Sequence, residues 1–213
     1  MTPPKPLSTF LNGAGLMRFA VFAACACGQS NGDRSDATDR RADTEGSELW
    51  ANVQVSAGSV DADWAAQWPL GVKPAGVGAA LIEELAEGEV IDLAWAQQSA
   101  VACFPANQDD LFSGPHRFFA VQQAADQGLV ISVAPEPGVD LSLYTLQVAT
   151  NFFGVPPDIQ NAVTCDTALK AGAGEAEVRS LWGPNNPYNV IVGVAGVQGQ
   201  NTGRFLLEVR PAE

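Results

Sequence analysis

The stretch Leu129–Tyr144, LVISVAPEPGVDLSLY, decides the fold class. It reads as two short strands joined by a bend. Leu129, Ile131 and Val133 recur at every second position of the first, and Val139, Leu141 and Leu143 at every second position of the second. Side chains alternate across a strand, so each set falls on one face. Pro135, Pro137 and Gly138 between them are poor strand interiors and good turn formers, which places the break by chemistry as well as by pattern.

The same pattern extends outward on both sides. Downstream, Leu146–Val148 continues the second strand, and Asn151–Asn161, with Gly154, Pro156 and Pro157, reads as an irregular connection. Gly172–Gly174 marks a turn, and Glu177–Trp182 a strand. YNVIVGVAGV places Tyr188, Val190, Val192 and Val194 on one face, and after the turn Gln198–Gly203 the segment Arg204–Arg210 turns Phe205, Leu207 and Val209 inward. Upstream, Arg117–Val121 and Val90–Ala96 alternate in the same way, whereas Pro105–Asp110 is turn-rich. Seven or so short strands separated by Gly, Pro and Asn predict an all-β chain, an antiparallel, jelly-roll-like β-sandwich.

Residues 49–87 are of mixed character. Ala51–Val60 reads as a first strand through Val53 and Val55. Asp61–Gln67 reads as a helix with Asp61 as N-cap, which puts Trp64 and Trp68 on one face. Leu70–Val77 reads as loop, and AALIEELA, Ala79–Ala86, as a helix closed by Gly88. The domain division that follows is 1–27 targeting segment, 28–48 polar linker, 49–87 extension and 88–213 sandwich.

Composition bounds the partners. Of 213 residues 46% are hydrophobic, enough for a packed core, and 21 Gly and 14 Pro favour turns over long helices. The formal charge of −13 repels phosphate backbones and anionic headgroups, so no nucleic acid partner is expected.

Lys5 and Arg18 are the only charges in residues 1–27, and Phe19–Ala26 is apolar and small, as in a targeting segment. Phe22-Ala23-Ala24-Cys25 resembles a bacterial lipoprotein box, which implies lipid attachment at Cys25; Cys27 is a second candidate for that role. An ordinary secretory signal, or a start at Met17, also fits these residues. The following stretch, GQSNGDRSDATDRRADTEGS, lacks any large apolar residue and cannot bury enough surface to offset its ordering entropy, so a disordered tether is expected. Acyl chains contribute about 0.8 kcal/mol per buried methylene, so more than one is needed for stable anchoring. The expected location is the bacterial cell envelope outside the cytoplasm, with secretion as the alternative. Membrane contact is then through the N-terminal anchor alone.

GVDLSLYTLQ and NPYNVIVGVAGVQGQNTGRFLLEV resemble the bacterial pre-peptidase C-terminal domain. Asp140, Leu143 and Tyr144 match its Asp-x-x-Leu-Tyr strand. Tyr188, Val190 and Val192 match its Tyr-x-Val-x-Val strand, and Gly203, Phe205, Leu207 and Val209 the turn and last strand. Arg117–Phe119 and Gly128 fit its opening region. The likeness covers roughly Phe112–Val209; Leu93–Phe104 and the long connection containing Cys165 depart from it. The resemblance implies a β-sandwich that is not itself catalytic and assists secretion, targeting or substrate contact.

Among residues that could carry chemistry, Cys103 and Cys165 lie within the sandwich and are expected to form a disulfide if the chain is exported. Closing a loop of roughly 60 residues contributes about 4 kcal/mol in the chain-entropy account. His116 is the single histidine and is expected at a strand edge facing solvent; no GxSxG, HExxH or P-loop occurs, so no catalytic residue is assigned. Asp109, Asp110, Asp126, Asp140 and Asp158 sit near turns where calcium ligands could converge, but their spacing follows no loop motif, and neither a metal nor a cofactor is assigned. Trp95 and Trp182 alternate with apolar neighbours and are expected in the core. The function expected is non-enzymatic contact with an extracytoplasmic protein or polysaccharide. The alternatives are a carbohydrate-binding module using Trp64, Trp68 or an exposed sheet face, and an enzyme with an unrecognised site.

Overall fold

The computed structural model describes residues 50–98, 103–104, 106–159, 162–168 and 172–212. The targeting segment, the linker and the lipid-attachment candidates Cys25 and Cys27 lie outside the described residues. Among the described residues nine strands form two sheets: β1 (Val72–Pro74), β2 (Ala80–Glu84), β3 (His116–Gln123), β4 (Leu129–Pro135), β5 (Leu141–Val148), β6 (Thr164–Ala168), β7 (Glu177–Leu181), β8 (Tyr188–Gly196) and β9 (Arg204–Pro211). One sheet has the order β1-β3-β8-β5-β6 and the other β2-β9-β4-β7. All pairings are antiparallel except that of β1 with β3, which is parallel. The expected all-β sandwich is therefore present.

The two strands of the deciding stretch do form, yet β4 and β5 belong to opposite sheets. The bend at Glu136–Asp140 is a crossover from one layer to the other. It works because Gly138 takes the left-handed conformation (φ 85°) that a side chain would resist. The inward faces are those the alternation gave. Leu129, Ile131 and Val133 of β4, Leu141 and Leu143 of β5, Val190, Val192 and Val194 of β8, and Phe205, Leu207 and Val209 of β9 make one core between the sheets.

A second core lies on the outer face of the five-stranded sheet. Tyr144, Leu146 and Val148 of β5, Ile191 and Ala195 of β8 and Ala120 of β3 meet a cap built from Trp64, Trp68, Trp95, Phe104 and Phe112. All eight residues of β5 are consequently buried. The cap takes its shape from short elements: α1 (Ala62–Ala65), α2 (Ala94–Gln98) and a 3-10 turn at Ala106–Leu111. Asp61 caps α1 as expected, its side chain accepting from the Trp64 N–H at 2.8 Å. Trp64 and Trp68 pack edge to face with centroids 5.6 Å apart.

Several sequence expectations are corrected. Ala79–Ala86 is no helix but strand β2 followed by a 3-10 turn at Leu85–Glu87. Its helix-forming residues are overridden by antiparallel pairing along β9, from Ala80 opposite Glu208 to Glu84 opposite Arg204. Val90–Ala96 is no strand: Val90 is exposed, and the Asp92 carboxylate accepts from the Ala94 N–H to open α2, which buries Trp95 and Ala96 in the cap. Leu70–Val77 contains β1, with Pro74 at the sheet edge where a missing donor is tolerated. Ala51–Val60 makes only isolated bridges at Ser56 and Ser59. β6 was not foreseen, because its mixed run Thr164–Ala168 carries no alternating apolar set. Residues 49–87 thus supply β1 and β2, one strand to an edge of each sheet.

Cys103 and Cys165 are joined, with Cα atoms 4.9 Å apart, which ties the cap to the edge strand β6.

Gly193 of β8 stands directly opposite Tyr144 of β5, and the phenol ring lies flat over it. A Cβ at this position would fall inside the ring. Gly193→Ala is expected to lower stability by about 2–3 kcal/mol or more, since a tightly packed core resists an added methyl. Urea unfolding should show this as a lower midpoint at an unchanged m value.

Candidate functional site

A cleft of about 420 Å³ lies where β3 and β5 end and β8 begins. Ser59 and Val60 from the segment before α1, Ala75–Val77 after β1, Gln122 and Gln123 at the end of β3, Thr150 after β5, and Pro187 and Tyr188 at the start of β8 line it. Gln127 completes one wall from the β3–β4 turn. This lining contains no charged side chain, in a chain whose net charge is −13.

The walls are held by a chain of amides. Thr164 Oγ1 donates to Gln147 Oε1 at 2.8 Å, and Gln147 Nε2 donates to Gln123 Oε1 at 2.6 Å. Gln123 Nε2 then donates to two main-chain carbonyls, Gln127 O at 2.8 Å and Trp182 O at 3.0 Å. Asp126, at φ 60°, donates its N–H to Pro184 O at 2.7 Å, and Gly183 packs so closely on the Asp126 carbonyl that a Cβ there would overlap it. The β3–β4 turn and the loop after β7 are therefore locked together beside the cleft.

That loop begins with Trp182, which is 92% exposed. The expectation of a core position for it is overturned. Leu181 is the last residue of β7 and Trp182 follows it directly, so the two side chains leave on opposite sides, and Leu181 is the buried one. That parity, together with the turn-rich Gly-Pro-Asn-Asn-Pro that follows, is the signal in the sequence. Trp95 does lie in the cap, as expected. Trp64 and Trp68 are buried at 6% and 8% exposure, and Trp64 borders the cleft. The Trp64 indole N–H is spent on Asn189 Oδ1 at 2.9 Å.

His116 is internal. Phe112 O can only accept, so His116 Nε2 carries the proton donated to it at 2.7 Å, and His116 Nδ1 accepts from the Tyr144 hydroxyl at 2.9 Å. Burial lowers the His116 pKa from 6.5 to about 4, against the opposing effect of its hydrogen bond to Phe112 O, and raises that of Tyr144 well above its ordinary value. The expectation of a solvent-facing histidine at a strand edge is thereby corrected. Its imidazole faces the cap because even-numbered positions of β3 do.

A smaller pocket, about 160 Å³, lies by Glu87–Glu89 and His116–Phe118. Its one guanidinium is committed: Arg117 Nη2 meets Glu83 at 2.7 Å and Glu87 at 3.0 Å, while Lys73 Nζ also reaches Glu83 at 2.8 Å. Among the described residues no three His, Cys, Asp or Glu side chains stand close enough to hold a metal ion, so Asp109, Asp110, Asp126, Asp140 and Asp158 are not brought together.

No protein-family model matches the sequence, and no curated protein matches it. The structure is similar to the pre-peptidase C-terminal domain of a Bacillus anthracis collagenase, with 13% identity, a TM-score of 0.38, and 67% of this chain and 97% of that one covered. It is also similar to CorA, a surface-associated copper-binding protein of Methylomicrobium album BG8, at 8% identity and a TM-score of 0.38 over 66% of this chain and 100% of that one. A third similar structure is the Aeromonas hydrophila periplasmic inhibitor of g-type lysozyme, PliG, at 10% identity and a TM-score of 0.32 over 66% and 99%.

The buried imidazole gives the fold a pH dependence. The unfolded chain protonates His116 below about 6.5 and the folded chain only below about 4, so the unfolded state binds more protons between these values. Stability should fall as pH drops through that window, by roughly 3 kcal/mol from this group. Urea titrations at pH 7 and pH 4.5 should show that difference shrinking in His116→Gln; an equal drop in both proteins would mean that His116 is not held neutral by the fold.

Proposed function

We propose that this chain is a non-catalytic contact module that works outside the cytoplasm. It is carried on an N-terminal lipid anchor at Cys25 and engages its partner with the loop end that bears the cleft and Trp182. The observation that carries this reading is the pairing of an exposed tryptophan with a rigid, neutral cleft at one end of the sandwich. Large aromatic side chains are enriched where proteins bind, and a fully exposed Trp held by a braced main chain is poorly explained by folding alone. A preformed site also avoids much of the ordering cost of association. The only imidazole is closed inside the cap between Tyr144 and Phe112, which leaves nucleophilic catalysis without its commonest base.

Three features support the location: the lipoprotein-box likeness at Cys25, the polar stretch after it, and the Cys103–Cys165 bridge, a type of bond that persists in oxidising compartments.

Expression in a bacterial host tests the anchor. The membrane fraction should yield a mass that begins at Cys25 and carries acyl chains, and Cys25→Ala should abolish that species; an unmodified soluble product would remove the anchor from the proposal. The contact surface is tested separately. Protein purified as Cys25→Ala should co-sediment with isolated envelope particles of its own cells, and adding Trp182→Ala should reduce the pelleted fraction about fivefold. Equal pelleting of the two proteins would rule out the loop end.

A further inference from the structure

We infer that the cleft beside Trp182 binds an uncharged glycan chain. The inference rests on the loop end being the contact surface and adds the chemical class of what it takes.

The lining selects by exclusion first. A cleft with no charged side chain offers nothing to neutralise a phosphate, a carboxylate or an ammonium, and the net charge of −13 repels anions at longer range. An extended peptide would need an open strand edge to pair with. Along the wall that could provide one, the main chain is already engaged: Ala75 N–H donates to Ala120 O at 2.8 Å, Gly76 N–H to Ala57 O at 2.7 Å and Gly78 N–H to Val209 O at 2.8 Å.

What remains available matches sugar hydroxyls. The side chains of Ser59, Gln122, Thr150 and Tyr188 make no hydrogen bond to any described residue, although they line the cleft and three of them are exposed. Hydroxyls and a carboxamide can each donate and accept, as a sugar hydroxyl does, so either orientation of a pyranose can be satisfied. Between them Val60, Val77, Pro187 and the Tyr188 ring give apolar surface for the C–H faces of the sugar ring. A volume of about 420 Å³ falls in the range of about 300–1,000 Å³ that is usual for small-ligand clefts, and its open position at a loop end lets a longer chain run past it. The Trp182 main-chain carbonyl is held by the same Gln123 amide that lines the cleft, so its exposed indole is available at this loop end as a stacking platform for a further residue of the chain.

The test is isothermal calorimetry of the full chain with a panel of uncharged hexasaccharides: β-1,4-glucan, β-1,4-xylan, β-1,4-mannan, α-1,4-glucan and fully N-acetylated chitin. At least one should bind, and Trp182→Ala and Gln122→Ala, both at exposed positions, should each weaken it about fivefold or more. Tyr188→Phe, which keeps the ring and removes only the hydroxyl, should weaken it by a smaller factor at unchanged thermal stability. No heat from any member at millimolar concentration would overturn the inference, as would binding that neither exposed-site variant weakens, or binding of an uncharged peptide with no glycan bound. If no glycan binds while Trp182→Ala still reduces envelope co-sedimentation, the glycan assignment falls and the contact surface stands. If neither effect is seen, both fall.

Discussion

The five-stranded sheet is buried on both faces, and most of the architecture answers to that constraint. A half-solvated strand alternates apolar and polar residues, whereas a strand covered on both sides reads as a nearly continuous apolar run. β5 and β8 are of the second kind, with every residue of β5 out of water. Unmet polar groups in this setting are costly, and although the Trp68 and Trp95 indole N–H groups and Thr145 Oγ1 have no partner there among the described residues, others are paired. Asn189 shows how the cap solves this. Its Oδ1 accepts from the Trp64 indole, and its Nδ2 donates to Thr150 O at 3.2 Å and Phe152 O at 3.0 Å, so one side chain joins β8 to α1 and to the loop after β5. Tyr144 and His116 do the same farther along, with Gly193 leaving the space the phenol occupies.

One buried charge cluster lies at the opposite end from the cleft. Glu83 on β2 and Arg117 on β3 belong to different sheets, and their side chains meet at 4% and 7% exposure, with Lys73 on the solvent side. A buried pair of this kind adds little net stability, but losing one partner leaves the other uncompensated. It therefore fixes how the sheets sit on each other more than it strengthens them. A second ion pair, Arg179 with Asp166, ties β7 to β6, and at the cleft end neutral amides hold the walls.

The sandwich was legible where period-2 alternation was strong, as in Leu129–Val133, Val190–Val194 and Phe205–Val209, since each set has one core to face. It was misread where local preference and tertiary pairing disagree. Ala79–Ala86 has the residues of a helix, but β9 offers an edge for Ala80–Glu84 to pair with, and no local signal carries that. VIDLAWA alternates like a strand, yet Asp92 opens a helix turn and Trp95 seals the cap. The site was nearly invisible beforehand. Its residues come from six separate stretches of chain, and their meeting is a product of strand order; only the adjacency of Leu181 and Trp182 gave notice that one of them had to face water.

Strand order has one more consequence. β8 and β9 are the last two strands of the chain, and each lies in the interior of its sheet: β8 between β3 and β5, β9 between β2 and β4. Until they are made, β2 has no strand to pair with, and β3, β4 and β5 each have only their outer neighbour, β1, β7 and β6 respectively. Contacts between such distant segments also form slowly, because the long loops between them must close first. Before β8 and β9 insert, one sheet is two separate strand pairs and the other a pair and a lone strand, so these two strands are the keystones of both layers.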